Sequence, residues 1–145
     1  MTGRVPLYTA QKRLTVVWFA GAGLVLAVLI FQTVIEKYGS RVEDAYSWYA
    51  QTVLPTATLI ASALAYQAAK KPKAVTVDQF WYRFSLWVSV AYIALVVVTP
   101  FLEPLSPRAP LEFLHLSNLW LGPVHIFVGI TLGVFFGSKD TAAGP

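Results

Sequence analysis

The hydrophobic pattern of the chain consists of long apolar runs separated by short polar stretches. The runs without Asp, Glu, Lys or Arg cover residues 14–35, 45–69, 84–102 and 113–138. Each is long enough to cross a bilayer core of about 30 Å, which takes about 20 residues at about 1.5 Å per residue. Apolar residues occur on every side of each run, which is typical of membrane spans and not of amphipathic surface helices. The pattern predicts transmembrane helices over residues 14–35, 46–69, 80–101 and 117–137.

Local signals refine the start of the third helix and the connection after it. Thr76 and Gln79 have the spacing of a capping box, so this helix should begin near Val77. Prolines at the end of the third run and after it predict a stiff and non-helical connection. They are Pro100, Pro104, Pro107 and Pro110.

The same reasoning divides the fourth apolar run. Pro110 can begin a short helix over residues 111–116 on the outer membrane surface. Ser117 or Asn118 could then cap the fourth span. We therefore predict a single domain over residues 1–145, an all-α integral membrane protein. It would be a bundle of four transmembrane helices, with a short outer interfacial helix before the fourth.

The basic residues predict the orientation of the chain, because Lys and Arg are enriched in cytoplasmic flanks. Most of them lie in the N-terminal flank, the second connection and the C-terminal tail, and the first and third connections hold only Lys37, Arg41 and Arg108. Both termini should therefore be cytoplasmic in a multi-pass protein of a bacterial inner membrane. The cluster formed by Lys70, Lys71 and Lys73 should contact anionic lipid headgroups or dock a cytoplasmic protein partner.

Composition excludes several classes of function. The chain is 57% hydrophobic and 12% charged, which is not typical of a water-soluble domain, and it has no Cys. The connections are too short for a soluble catalytic domain, and no HExxH, nucleophile elbow or phosphate-binding glycine loop occurs. No carboxylate lies within a span, which argues against ion pumps and proton-coupled transporters. We expect no enzymatic activity, no cofactor and no nucleic-acid partner.

Small residues at helical spacing predict close helix packing, which is the main source of attraction between helices in lipid. The first span carries Ala20, Gly23 and Ala27. The second carries Ala57, Ala61 and Ala65, and the fourth carries Gly129, Gly133 and Gly137. These faces could pack within one bundle or between copies of the chain, and the sequence leaves both alternatives open.

Polar groups inside the spans are the candidates for a pore or gate. Pro55 and Pro123 each free a backbone carbonyl, which must find a partner or line a wet cavity. His125 is the ionisable side chain furthest inside a span, and such residues are candidates for function. Structural kinks and a neutral histidine bonded to a neighbouring helix remain the alternatives. The candidate set is Pro55, Thr56, Ser62, Asn118, Pro123 and His125.

Two further polar patterns are visible. Ser85, Ser89 and Tyr92 predict a polar stripe on the third span, which would join helices or line a narrow pore. Gln32 and Gln51 lie near span ends, where we expect them to face the wet interface.

In size and layout the chain resembles the small four-span membrane proteins of bacterial phage-exclusion and abortive-infection systems. The resemblance is carried by the alanine-rich stretch 57–69, the basic run 70–73 after it and the glycine-rich fourth span. It implies a homo-oligomeric pore-forming or membrane-perturbing effector. The alternative is a non-catalytic accessory or anchor subunit of a larger membrane complex.

Overall fold

The computed structural model describes residues 3–68 and 75–136, with the side chains of 66–68 left out. Helix α1 covers Leu7–Val34, α2 Val42–Thr52, α3 Leu54–Ala68, α4 Gln79–Leu102 and α5 Pro110–Phe136. Short 3-10 turns follow α1 and α4 at Gly39–Arg41 and Glu103–Leu105, and strands β1 and β2 cover Arg4–Pro6 and Thr76–Asp78. The segments Leu7–Val34, Gln79–Leu105 and Pro110–Phe136 are long and apolar enough to cross a membrane. The chain is therefore a helical membrane protein.

Two short strands join the beginnings of α1 and α4, which the sequence analysis did not predict. β1 and β2 pair antiparallel, with Val5 opposite Val77. The ladder is extended by Leu7 N–H to the Val75 carbonyl and by Gln79 N–H to the Gly3 carbonyl, both at 2.9 Å. This pairing places the N-terminal flank and the end of the second connection on the same side of the protein.

Contacts between residues near the helix ends show the relative directions of the helices. Gln32, late in α1, donates to the carbonyl of Pro100, late in α4, so these helices run in the same direction. Gln11, early in α1, donates to the carbonyl of Phe135, late in α5, at 2.7 Å. The last described residues of α5 therefore lie beside the N-terminal flank, and α5 runs against α1 and α4.

The second apolar run is not one helix, as predicted over residues 46–69, but two helices divided at Val53. Pro55 has no backbone N–H, and its ring crowds the preceding turn, which favours a break in the helix at this point. Val53 N–H still donates to the Tyr49 carbonyl at 3.0 Å, and Ala57 N–H donates to the Val53 carbonyl at 3.2 Å. The break is therefore local, and the chain resumes as α3.

The third helix begins at Gln79, within two residues of the predicted start, but the predicted capping box of Thr76 and Gln79 was wrong. Thr76 lies in β2, and Asp78 is the N-cap, since its carboxylate accepts the N–H of Phe80 at 2.7 Å. A carboxylate next to the first turn satisfies an N–H that has no helical partner. The third connection is more helical than predicted, because a 3-10 turn over Glu103–Leu105 directly follows α4.

The predicted interfacial helix over residues 111–116 is not separate from the fourth span. Pro110 begins α5, as its position suggested, but the helix continues without interruption to Phe136. Ser117 does not cap it, because its buried hydroxyl donates to the Leu114 carbonyl at 2.6 Å, within the same helix.

Close packing of α1 against α4 depends on Gly21. A Cβ at this position would collide with the side chain of Ile93, so only glycine lets the two helices approach this far. Trp18, one turn earlier, is fully buried with its ring centroid 5.8 Å from that of Tyr92. Gly23, two residues after Gly21, has no atom within 4 Å of an added Cβ.

Candidate functional site

His125 lies at the centre of a polar network between α3, α4 and α5. Its Nε2 is 2.7 Å from the Thr56 hydroxyl, and its Nδ1 is 3.2 Å from the Tyr92 hydroxyl. The Tyr92 hydroxyl donates in turn to the carbonyl of Thr52 at 2.8 Å. Both ring nitrogens are therefore bonded to hydroxyls on neighbouring helices.

These partners determine which nitrogen of His125 carries the proton. A phenol has one hydrogen, and that of Tyr92 is directed to the Thr52 carbonyl. Nδ1 of His125 must therefore donate to the Tyr92 oxygen. In the neutral ring Nε2 is then an acceptor, and the Thr56 hydroxyl donates to it. The network thus runs in one direction, from Thr56 through His125 and Tyr92 to the Thr52 carbonyl.

The network is attached to both sides of the helix break. Thr52 is the last residue of α2, and Thr56 lies in the first turn of α3. Between them, Val53 and Pro55 interrupt the regular helical ladder. The side chains of α4 and α5 therefore bridge the two halves of the broken segment.

Tyr92 belongs to a polar seam that α4 turns towards the protein interior. The buried positions of α4 before the network are Tyr82, Ser85, Ser89 and Tyr92, at spacings of three and four. Ser85 donates to the Thr131 carbonyl at 3.3 Å. Within the described residues, Ser89 Oγ, Tyr82 Oη and Trp18 Nε1 are buried without a hydrogen-bond partner. The predicted stripe of Ser85, Ser89 and Tyr92 therefore faces other helices and not lipid.

The structure does not bring the six predicted pore or gate residues to one place. Thr56 and His125 face inward and touch each other, whereas Pro55 and Ser62 are exposed on the opposite side of α3. Asn118 is partly buried, and Pro123 is exposed on α5. Tyr92, which links the network to the helix break, was not in this set. Its spacing from Ser85 and Ser89 was the signal that could have placed it there.

The outer face of α2 and α3 is unlike the outer faces of the other helices. One face of this segment carries small or polar residues at helical spacing, and all of them are exposed: Ser47, Gln51, Pro55, Thr58, Ser62 and Ala65. Leu54 and Leu59 are the large apolar residues exposed beside this face. The exposed residues of α1, α4 and α5 include many more large apolar side chains, such as Phe31, Trp87 and Ile126. We call these six residues of α2 and α3 the outer polar face.

The predicted small-residue faces largely point away from the protein. Ala57 is buried, but Ala61 and Ala65 are exposed. A Cβ added at Gly129 or Gly133 would meet no atom within 4 Å. Ala20, Gly23 and Ala27 are exposed as well. Gly137 and the cluster Lys70, Lys71 and Lys73 lie outside the described residues.

The described residues contain no group of three or more His, Asp or Glu side chains placed to hold a metal ion. The site is a hydrogen-bonded network next to a helix break with a polar outer face. The chain matches no protein-family model, and no similar curated protein or solved structure was found.

Proposed function

We propose that this protein is a homo-oligomeric pore-forming or membrane-perturbing effector of a bacterial inner membrane, with four membrane crossings. The split segment α2–α3 would be the second crossing. A role in defence or stress follows from the resemblance in layout to phage-exclusion and abortive-infection proteins.

The outer polar face of α2 and α3 is the observation that carries the proposal. Lipid tails offer no hydrogen-bond partners and gain little from contact with small side chains. Thr58 and Ser62 satisfy their hydroxyls by donating to backbone carbonyls of the preceding turn, at 2.9 and 2.7 Å. Their oxygens can still accept bonds, and the small side chains leave room for a second backbone or for water. A second copy of the chain is the partner that we propose for this face, with the water-filled path between the two copies.

The interior of one copy supports the same conclusion. The cavity bounded by Trp18 and Tyr92 has a volume of about 10 Å³, room for about one water molecule. This cavity is too small for a continuous file of water, and we propose that the water-filled path runs between copies. The outer polar face carries no charged side chain, so such a path would discriminate only weakly between small ions.

A tryptophan on the outer polar face tests this proposal. Wild-type protein reconstituted in vesicles should dissipate a potassium diffusion potential and should have an oligomeric mass in detergent. Ser62→Trp should slow the leak by occupying the path. Val98→Trp, at an exposed site on the apolar side of α4, should not. A monomeric mass with no leak from the wild type would instead favour the accessory-subunit alternative.

The proposed orientation can be tested separately by cysteine labelling, because the chain has no Cys of its own to react. Single cysteines at Ser40 and Ser106 should react with a membrane-impermeant thiol reagent in intact cells, and Ala74→Cys should not. Support comes from β1 and β2, which pair the N-terminal flank with the end of the second connection. If only the Ala74→Cys variant is labelled, the chain has the opposite orientation to the one proposed.

A further inference from the structure

A second polar cluster lies where α1 and α4 end, away from the His125 network. Pro104 has no N–H, so the carbonyl of Pro100, four residues earlier, lacks its usual helical partner. Two side chains from the end of α1 and the connection after it approach this carbonyl instead. Gln32 Nε2 is 3.4 Å from it, and Lys37 Nζ is 3.2 Å from it. Gln32, expected at a wet interface, is in fact buried.

The cluster contains one ion pair and no net charge. Lys37 Nζ lies 2.8 Å from Glu103 Oε2, and the two side chains are 19% and 14% exposed. Tyr38 donates its hydroxyl to Gln32 Oε1. Burial, with a smaller contribution from Glu103, raises the pKa of Tyr38 to about 12, so this phenol is neutral near pH 7.

An open groove of about 300 Å³ begins at this cluster. Its walls are apolar and include Phe31, Ile35 and Phe101, which are all more than half exposed. Its polar end is formed by Gln32 and Lys37. An apolar trough with one polar end has the shape and chemistry of a site for an amphiphile, with the chain in the trough and the headgroup at the polar end.

We propose that this groove binds a phospholipid with a zwitterionic headgroup that ends in a primary ammonium, as in phosphatidylethanolamine. Lys37 has three N–H donors, and two are directed to Glu103 and Pro100, which leaves one for a phosphate oxygen. Glu103 is paired with Lys37 beside the polar end of the groove, where its carboxylate can accept a hydrogen bond from the headgroup ammonium. A purely anionic headgroup would meet the carboxylate of Glu103 and gain no net attraction. A choline headgroup has no N–H to donate to it.

Competition between lipids in native mass spectrometry tests the proposal. The purified protein is incubated with equal amounts of phosphatidylethanolamine, phosphatidylcholine and phosphatidylglycerol with identical acyl chains. We expect the wild type to retain phosphatidylethanolamine over either competitor by about fivefold, the ratio expected for one partly exposed ion pair. Lys37→Met and Glu103→Gln should each bring the ratio close to one. Equal retention of all three lipids by the wild type, or preference for phosphatidylglycerol, would overturn the proposal.

A variant that leaves the ion pair of Lys37 and Glu103 intact separates loss of the lipid site from loss of the fold. Ala27 lines the groove and is exposed, so Ala27→Phe should fill the trough and reduce retention of every lipid. Ala20→Phe, two turns earlier on the same exposed face, is the matched control and should bind as the wild type does. If Ala27→Phe still prefers phosphatidylethanolamine, the lipid does not occupy this groove. The inference does not depend on the proposed pore.

Discussion

Replacing Tyr92 with Phe removes a single oxygen from a fully buried side chain. That hydroxyl donates to the Thr52 carbonyl at 2.8 Å and lies 3.2 Å from His125 Nδ1. Tyr92→Phe should therefore leave a carbonyl and an imidazole N–H without partners, on two different helices. We expect the variant to fold and to be less stable.

The magnitude follows from the number of bonds lost. Hydrogen bonds between helices in membrane proteins contribute about 0.6 kcal/mol on average and about 1.7 kcal/mol at most. Two such bonds, with two buried groups left unpaired, give a loss of about 1–3 kcal/mol for Tyr92→Phe. His125→Leu should cost about 1 kcal/mol, because Leu is similar in volume and Tyr92 keeps its bond to Thr52. The hydroxyl of Thr56 can then turn to a carbonyl of the preceding turn.

The double variant tests whether these residues act as one network. Once His125 is Leu, Tyr92→Phe no longer leaves an imidazole N–H unpaired, so the combined cost should fall below the sum by about 1 kcal/mol. Unfolding in mixed micelles with rising SDS, followed by tryptophan fluorescence, measures each free energy. Trp18 stacks near Tyr92 and should report the change. Costs that add within about 0.5 kcal/mol would show that the two side chains are not coupled.

Two further predictions concern stability. The first is measured by the same SDS titration, and the second by thermal unfolding at a series of pH values. Gly21→Ala should destabilise by about 1–2 kcal/mol, because the new Cβ collides with the stiff β-branched Ile93. Gly23→Ala, at an open position, should stabilise by about 1 kcal/mol, and the reverse order would contradict the packing of α1 on α4. The raised pKa of Tyr38, about 12 against 10.0, means that the folded state favours the neutral phenol. Its contribution is complete below pH 10 and is lost as the pH rises to about 12, so thermal stability should fall more steeply there than in Tyr38→Phe.

The helices that could be predicted are those that are long and apolar enough to cross a bilayer. Long uncharged runs located α4 and α5, and Pro110 correctly marked the beginning of α5. The start of α1 was placed seven residues late, because the run was taken to begin after Lys12 and Arg13, whereas the helix begins at Leu7. Charged residues mark where a helix leaves the membrane core, but the helix itself can continue beyond them. The ends depend on caps and strand pairing, as at Asp78, which involve groups distant in the sequence.

The direction in which each helix face points could not be predicted, for a physical reason. In water an apolar face must be buried, but lipid is as apolar as a protein core, so hydropathy does not separate the two. Gly21 and Gly23 show the difficulty: only Gly21 meets a neighbouring helix, although Gly23 has the predicted spacing to Ala20 and Ala27. Polar residues were better guides. Ser85, Ser89 and Tyr92 all face inward, because hydrogen-bonding groups favour helix contacts over lipid.

The two polar features of α2 and α3 cannot be independent, since they share one break in the chain. Thr52 and Thr56 hold the inner side of the break through Tyr92 and His125, whereas Gln51 and Pro55 lie on its outer side. Any change in the angle at Val53 that lengthens the inner bonds also moves the outer polar face. If the proposed function is correct, a substitution that weakens the network changes the leak through the angle at the helix break. Ser62→Trp instead blocks the path directly. Tyr92→Phe should alter how often the path opens and leave the oligomeric mass unchanged, whereas Ser62→Trp should reduce the current through each opening.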